Sequence, residues 1–355
     1  MTTPRPQDLK APRPQDPRPP GPLSIRGRIA TVVLAFTVFA IAVMIWAPTV
    51  GSTSISLARA FDRSIPWNDN VDAQIFFVAR LPRVLAGGLV GATLAAAGVV
   101  LQALLRNPLA TPFTLGVSAG ASLGAMLAVT TRLELSILGI TSIPLASFAG
   151  SLIATAIVYA LASSQRRGLS TNVLLLAGVT LNAFFSAVIL FVQYLADFAE
   201  ALRAIRWMMG GLDVASYVPI IAALPLIVIS FAAFAMMTRT LNLLSVGTEA
   251  AASRGVDIVR AQRVAFISAS LATGAAVSLG GPIGFIGIIV PHLVRLMVGS
   301  DHRIVLPASA LFGAAFLVLC DLAARTVMSP LEIPVGVVTA LIGGPFFLWL
   351  LVKRS

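Results

Sequence analysis

The chain has 355 residues, of which 57% are hydrophobic and only 11% are charged. Soluble domains are about 45–50% apolar and about 25% charged, so this composition indicates a membrane protein. The net charge is +11, and the only lysines are Lys10 and Lys353. A P-loop requires Gly-Lys followed by Ser or Thr, but Lys10 precedes Ala11 and Lys353 precedes Arg354. The chain is therefore not a P-loop ATPase by itself.

The composition also argues against nucleic-acid and metal binding. The Arg residues are dispersed among apolar segments instead of gathered on one basic face, which is not typical of a nucleic-acid-binding protein. Cys320 is the only cysteine and cannot form an internal disulfide, and two His residues with one Cys do not make a zinc cluster. We expect no catalytic residue, metal site or cofactor.

Residues 1–28 are rich in Pro and Arg and repeat the sequence Pro-Arg-Pro-Gln-Asp at 4–8 and 12–16. This composition predicts a disordered cytoplasmic tail. A signal peptide is the alternative, because an apolar run follows and residues 58–60 (Ala-Arg-Ala) resemble a cleavage site. The run over 29–47 is longer than the 7–15 residues of a signal core, so we predict that it is a first transmembrane helix.

Ten apolar runs predict an all-α polytopic membrane protein with one transmembrane domain over 29–352. The predicted spans are 29–49, 84–105, 114–130, 140–163, 172–196, 216–238, 261–279, 283–299, 303–325 and 333–352. An even number of spans places both termini on one side of the membrane. With cytoplasmic termini, 17 basic residues lie inside and 8 outside, as the positive-inside rule favours.

Small residues recur at four-residue spacing in the second and third spans. The second span has Gly87, Gly91 and Ala95, and the third opens with Gly116, Gly120 and Gly124. Such faces allow helix backbones to approach closely in lipid, so we predict that they serve helix packing.

The most specific signals are six separated motifs: RLPR (80–83), QALLRNPLATP (102–112), LGVSAGA (115–121), GPIGFIGIIVPH (281–292), DHR (301–303) and EIPVGVVTALIGGP (332–345). Together they resemble the FecCD-type permease family of bacterial ABC importers for iron-siderophores, haem and vitamin B12. The resemblance covers about residues 71–352, and the preceding tail lies outside it.

The resemblance implies the type II importer fold, with ten transmembrane helices in the bacterial cytoplasmic (inner) membrane. Members of this family form homodimers or pseudo-dimers. They are driven by two cytoplasmic ATP-binding subunits and are supplied by a periplasmic or lipoprotein substrate-binding protein. The missing P-loop agrees with that division of labour, so the resemblance implies a transport subunit and not an enzyme.

Arg80, Arg83 and Arg325 lie on segments predicted to be outside, against the positive-inside trend. By resemblance they match positions that receive carboxylates of the binding protein. Arg is suited to this role because its rigid donor fork binds a carboxylate bidentately. The alternative is that they are interfacial anchors that extend to lipid head groups. Asp321, four residues before Arg325, is a candidate ion-pair partner on the same helix.

The loop between the sixth and seventh spans reads Glu249-Ala250-Ala251-Ala252-Ser253-Arg254-Gly255. It resembles the EAA-x-x-x-G segment of importer permeases, a short helix that fits a cleft on the ATPase. Ala favours helix, and Gly255 can end the helix in the left-handed conformation. The family usually has Leu where this chain has Arg254. A small loop helix without a partner is the alternative.

Asn182 and Gln193 in the fifth span are eleven residues apart, so their amides lie on one helix face. The corresponding family helix lines the translocation path, and an ordinary interhelical hydrogen bond is the alternative. Residues 207–209 (Trp-Met-Met) lie in an amphipathic outer loop, which we predict to form a short re-entrant helix. We expect His292 to have a structural role at a helix bend.

Two other functional classes compete with the importer hypothesis. An ion-coupled secondary transporter needs intramembrane carboxylates, and the sequence offers only Asp321 at depth. An intramembrane enzyme needs a nucleophile with a base or a metal site, and neither is evident. Among family substrates we expect a ferric siderophore, with cobalamin or haem as alternatives.

Overall fold

The computed structural model describes residues 25–354 except 138, 164–168 and 215. The predicted tail therefore lies almost entirely outside the described residues. The described part is mainly helical, as predicted. Its one sheet is a short antiparallel hairpin of β1 (Ser136–Ile137) and β2 (Ile140–Thr141), in which Ile137 pairs with Ile140.

The first half of the chain forms helices up to the end of the fifth predicted span. In order they are α1 (Ile25–Trp46), α2 (Leu57–Ala60), α3 (Val71–Gln74), α4 (Leu81–Leu105), α5 (Val117–Thr130), α6 (Ser142–Ser163) and α7 (Thr171–Leu195). Short 3-10 turns follow α1 (Ala47–Thr49) and precede α5 (Pro112–Leu115), and a π-helical segment (Ile75–Arg80) joins α3 to α4.

The second half contributes seven more helices. They are α8 (Phe198–Met208), α9 (Val218–Val246), α10 (Thr248–Ala252), α11 (Ile258–Gly280), α12 (Ile286–Val298), α13 (His302–Thr326) and α14 (Val335–Arg354).

Seven helical segments of the described residues are long and apolar enough to cross a membrane, and they span 27–49, 71–105, 142–163, 171–195, 218–246, 258–280 and 302–326. Three shorter apolar helices, over 117–130, 286–298 and 335–349, coincide with the other predicted spans. The chain is an integral membrane protein. The count of ten spans and the cytoplasmic termini remain predictions.

Two predicted spans differ from the observed helical segments by eight residues or more at one end. The second predicted span begins at Val71 and not at residue 84, because the π-helical turn continues α3 into α4. The sixth extends to Val246 and not to residue 238. Its last turns carry the polar residue Asn242, whose amide bonds to Asp301. Hydropathy missed this part of the helix because polar residues, among them Arg239 and Asn242, are interspersed with its leucines.

Helix α4 lies at the centre of the bundle. It packs against α9, α11, α12 and α13, and nearly all of its residues from Ala86 to Leu105 are buried. Helix α1 lies at the periphery and packs mainly against α13, where Phe36 and Phe39 contact the ring of Phe312. The core is therefore built around α4, α11 and α13.

Close backbone contacts confirm the packing role predicted for most of the small residues. A Cβ atom added to Gly91 would lie 2.2 Å from the carbonyl oxygen of Gly313, and one on Gly124 would lie 2.1 Å from that of Ala146. Gly116 differs, since it has φ +79° at the junction before α5 and meets its neighbours only at 3.5 Å. The sequence spacing alone does not separate a packing glycine from a turn glycine.

We predict that Gly91→Ala destabilises the protein, because the added methyl group cannot fit against the backbone of Gly313. Overpacking of this kind typically costs about 1–3 kcal/mol. The measurement is the thermal unfolding temperature of the detergent-purified protein. Gly344→Ala is the matched control, since a Cβ there would meet nothing within 4 Å. Equal unfolding temperatures for the two variants would contradict the prediction.

Candidate docking cluster and coupling helix

The three predicted docking residues lie together at one end of the bundle. Arg80 is the last residue of the π-helical segment before α4, Arg83 lies in the first turn of α4, and Arg325 lies in the last turn of α13. We call these three residues with Asp321 the Arg cluster. All four are largely buried, so the structure brings the predicted residues together but within the fold and not on an open surface.

Arg83 is the centre of the Arg cluster. Its Nε donates to both carboxylate oxygens of Asp321, at 2.9 and 3.1 Å. Its Nη1 lies 2.7 Å from Glu332 Oε2 and 2.9 Å from Asp213 Oδ1. Asp321 therefore pairs mainly with Arg83 on another helix. The predicted pair with Arg325 is longer, at 3.7 Å.

Arg80 and Arg325 bind backbone carbonyls beyond the end of α1. Arg325 Nη2 donates to Ala47 O at 2.6 Å. Arg80 Nη1 donates to the carbonyl oxygens of Pro48 and Thr49, at 3.2 and 3.3 Å, and its Nη2 bonds to Thr53 O. These contacts hold the end of α1 against α4 and α13. In the alternative, in which the arginines are interfacial anchors, the acceptors would be lipid head groups, but in the structure they are carbonyl groups of the protein.

The charges around Arg83 balance. Arg80, Arg83 and Arg325 contribute three positive charges, and Asp213, Asp321 and Glu332 contribute three negative charges. The two added carboxylates are accessible, with side chains 79% exposed at Asp213 and 45% exposed at Glu332. The sequence did not connect either acid with Arg83, because they lie 130 and 249 residues from it in the chain.

A second ion-pair group binds α8 to the end of α5. Arg132, just after α5, bonds to Asp197 at 2.7 Å and to Glu200 at 2.6 Å. Asp197 also caps α8 by accepting from the backbone N–H of Glu200, and this bond, with Arg132, holds the pKa of Asp197 below its usual range. The predicted amphipathic helix is α8, which ends with Trp207 and Met208.

The predicted coupling segment forms a short helix, α10. Gly255 has φ +81°, and two backbone bonds close the helix, from Gly255 N to Ala252 O (2.9 Å) and from Val256 N to Ala251 O (3.1 Å). This is the Schellman pattern, in which a residue with positive φ ends a helix. Ala251 is buried in the core, whereas Glu249 and Arg254 are exposed.

A polar contact connects the last turns of α9 to the start of α13. Its residue on α9 is Asn242, six residues before the start of α10. Asn242 Nδ2 donates to Asp301 Oδ1 at 2.8 Å, and Asn242 Oδ1 accepts from the backbone N–H of His302 at 2.8 Å. Arg303 binds both oxygens of Asp301 and is the main reason that the pKa of this carboxyl is well below its usual range. The sequence showed the DHR motif but not its partner Asn242.

The predicted path residues both lie on α7. Asn182 Nδ2 donates to Phe113 O at 2.8 Å, which is the interhelical hydrogen bond weighed as the alternative. Asn182 and Gln193 are both partly buried, and their role in a path remains a prediction. His292 follows Pro291 inside α12, and its ring meets Phe346 of α14 edge-on with centroids 6.0 Å apart.

Helix α13 connects the two candidate regions. Its first residues contact Asn242, near α10, and its last turn carries Arg325. A helix of 25 residues is about 37 Å long, roughly the thickness of a membrane. The Arg cluster and α10 therefore lie at opposite ends of the bundle.

Comparison with known proteins identifies the same family as the motifs. Residues 37–353 match the model of the FecCD transport family. The chain is 46% identical over 276 residues to the cobalamin import system permease protein BtuC of Halobacterium salinarum, with 78% of this chain and 73% of the relative covered. It is 36% identical over 309 residues to the hemin transport system permease protein HmuU of Yersinia pestis, covering 86% and 92%.

A solved structure gives the same result at the level of the fold. It is described as an inward-facing conformation of a metal-chelate type ABC transporter, and it is 31% identical to this chain. The TM-score is 0.79, and the match covers 91% of this chain and 99% of the solved chain. Because the family model matches most of the sequence, the chain belongs to the FecCD transport family.

Proposed function

We propose that this protein is the permease subunit of an ABC importer that moves a metal chelate from the periplasm to the cytoplasm. Two copies form a central path in the inner membrane. ATP is hydrolysed by two separate cytoplasmic subunits, and a binding protein delivers the chelate. The observation that carries the proposal is the family match over 37–353, together with a coupling helix and an Arg cluster at opposite ends of one bundle.

The surroundings of Asp321 argue against an ion-coupled secondary transporter. A coupling carboxylate must bind and release an ion during transport. Asp321 is instead held by two bonds from Arg83 Nε and lies near Arg325. Removal of one partner from such a buried pair is costly, so we assign Asp321 to structure.

The docking role of Arg83 rests on its position. Of the three arginines it is the one whose Nη1 faces exposed carboxylates, so it is also the one that a carboxylate from outside can reach. Arg80 and Arg325 support the docking surface around Arg83, because they hold the end of α1 in place. Docking at this end leaves α10 free to contact the ATPase at the other.

We predict that Arg83→Glu weakens binding of the substrate-binding protein more than a neutral substitution does. Reversal of the charge adds repulsion between the new carboxylate and the carboxylate of the binding protein. An exposed ion pair contributes only about 0.2–1 kcal/mol, so loss of the charge alone has a modest effect. Arg83→Glu and the neutral comparison Arg83→Ala are both made in the Asp321→Asn background, so that neither leaves a buried carboxylate unpaired. The measurement is the dissociation constant at low and high salt.

A Glu-to-Arg change on the binding protein is expected to restore part of the affinity lost in Arg83→Glu. High salt is expected to weaken the wild-type complex by screening. If Arg83→Glu bound as tightly as the wild type at low salt, Arg83 would have no role in docking.

We predict that Gly255→Val reduces transport and stimulation of the ATPase, because a β-branched residue strongly disfavours the positive φ that closes α10. Nothing lies within 4 Å of a Cβ at this position, so the effect is conformational and not steric. Gly255→Asn is the matched control, since Asn tolerates this conformation. The measurement is ATPase stimulation in the assembled transporter, and equal activity of the Val variant and the wild type would argue against coupling through α10.

The cargo that we propose first is a ferric siderophore, the commonest substrate in the family that the sequence resembles. Cobalamin is the second candidate, favoured by the identity of 46% to a cobalamin permease. Chelates of these kinds are enclosed by their chelators and are recognised mainly by shape and apolar contacts, so path residues do not separate them.

Uptake of labelled chelates tests the cargo directly. A deletion strain complemented with this chain is expected to accumulate iron from a ferric siderophore and to lose that uptake without the chain. If the strain took up cobalamin or haem but not the ferric siderophore, the chelate that is taken up would be assigned as the cargo. Uptake that continues without the ATPase subunit would contradict the importer function itself.

A further inference from the structure

The guanidinium of Arg83 has carboxylate partners of two kinds. Asp321 is enclosed, with its side chain 2% exposed, and it binds Nε. Asp213 and Glu332 are accessible, and both bind Nη1, at 2.9 and 2.7 Å. One side of the guanidinium is thus fixed inside the protein, and the other faces outward and is covered by exposed acids.

The two accessible acids come from connecting segments and not from helices. Asp213 lies between α8 and α9, and Glu332 lies between α13 and α14. Either carboxylate can leave Nη1 by side-chain rotation, without breaking a helical hydrogen bond. Among the described residues Arg83 is the one ion-pair partner of each. Two carboxylates on one nitrogen also repel each other, which favours exchange of either.

We propose that Asp213 and Glu332 occupy the docking position of Arg83 in the free permease and are exchanged for a carboxylate of the binding protein when it docks. This inference rests on the proposed docking function. The two acids compete with the partner and repel its carboxylate. They also keep Arg83 paired and oriented between docking events, and they return when the partner leaves.

The exchange predicts that neutralising the acids tightens docking. Ion pairs at exposed sites are weak, and the removal of one competing pair is expected to lower the dissociation constant about two- to fivefold. Asp213→Asn and Glu332→Gln keep the shape of each side chain and remove its charge. The double variant is expected to bind more tightly than either single variant, by up to about twenty-fivefold if the two effects add.

The test uses the permease assembled with its ATPase in lipid nanodiscs, together with its substrate-binding protein. The dissociation constant and the dissociation rate are measured for the wild type, Asp213→Asn, Glu332→Gln and the double variant. Asp69→Asn is the matched control, because Asp69 is an exposed acid in the segment that leads into α3 and has no ion pair with Arg83. Arg83→Glu is measured in parallel.

Tighter binding by the double variant, with an unchanged affinity for Asp69→Asn, supports the exchange. If the double variant binds no more tightly than the wild type while Arg83→Glu still weakens binding, the exchange is wrong and the docking function stands. If Asp69→Asn tightens binding as much as the double variant, the effect is general electrostatics and the exchange is wrong. If Arg83→Glu binds like the wild type, the docking function fails and the exchange fails with it.

Discussion

The close approach of α4 and α13 at Gly91 and Gly313 is the contact on which the Arg cluster depends. Arg83 lies eight residues before Gly91, and Asp321 lies eight residues after Gly313. Eight helical residues rise about 12 Å, and the two helices run in opposite directions. Arg83 and Asp321 therefore lie at the same height, and the small separation of the two axes brings them within hydrogen-bond distance.

The end of α1 explains why the other two arginines are buried. The last carbonyl groups of a helix have no partner within the helix and carry partial negative charge. The 3-10 turn that follows α1 carries the carbonyls of Ala47, Pro48 and Thr49, and Arg325 and Arg80 donate to them. The arginines satisfy the carbonyls, and the carbonyls in turn stabilise charges that are withdrawn from water. A peripheral helix is thereby attached to the central pair.

The sequence predicted those structural features that depend on residues close together along the chain. The positions of the apolar helices, the helix at Glu249 and the turn at Gly255 follow from local pattern and propensity, and the structure has all of them. The family of the chain followed from motifs in order. Gly91 was recognised as a packing residue from its spacing, although the spacing could not identify Gly313 as its partner.

The sequence could not predict contacts between distant segments. The pairing of Arg83 with Asp321, Asp213 and Glu332 depends on how α13 and two connecting segments meet α4 at the same end of the bundle. Asn182 was placed correctly on α7, yet its partner is a backbone carbonyl, and any residue type could supply that carbonyl. Hydropathy also predicted too early an end for α9, since the polar residues Arg239, Thr240 and Asn242 lower the mean hydropathy of its last turns.

The contact of Asn242 with α13 limits which residues can stand at that position. One amide group donates to Asp301 and accepts from the backbone of His302 at the same time. Asp has the acceptor but lacks the donor, Leu lacks both, and Gln places the amide one carbon farther away. Any other residue at position 242 therefore leaves Asp301 or the backbone N–H of His302 without this partner. The first turn of α13 thus limits the choice of side chain about sixty positions earlier in the chain, on α9.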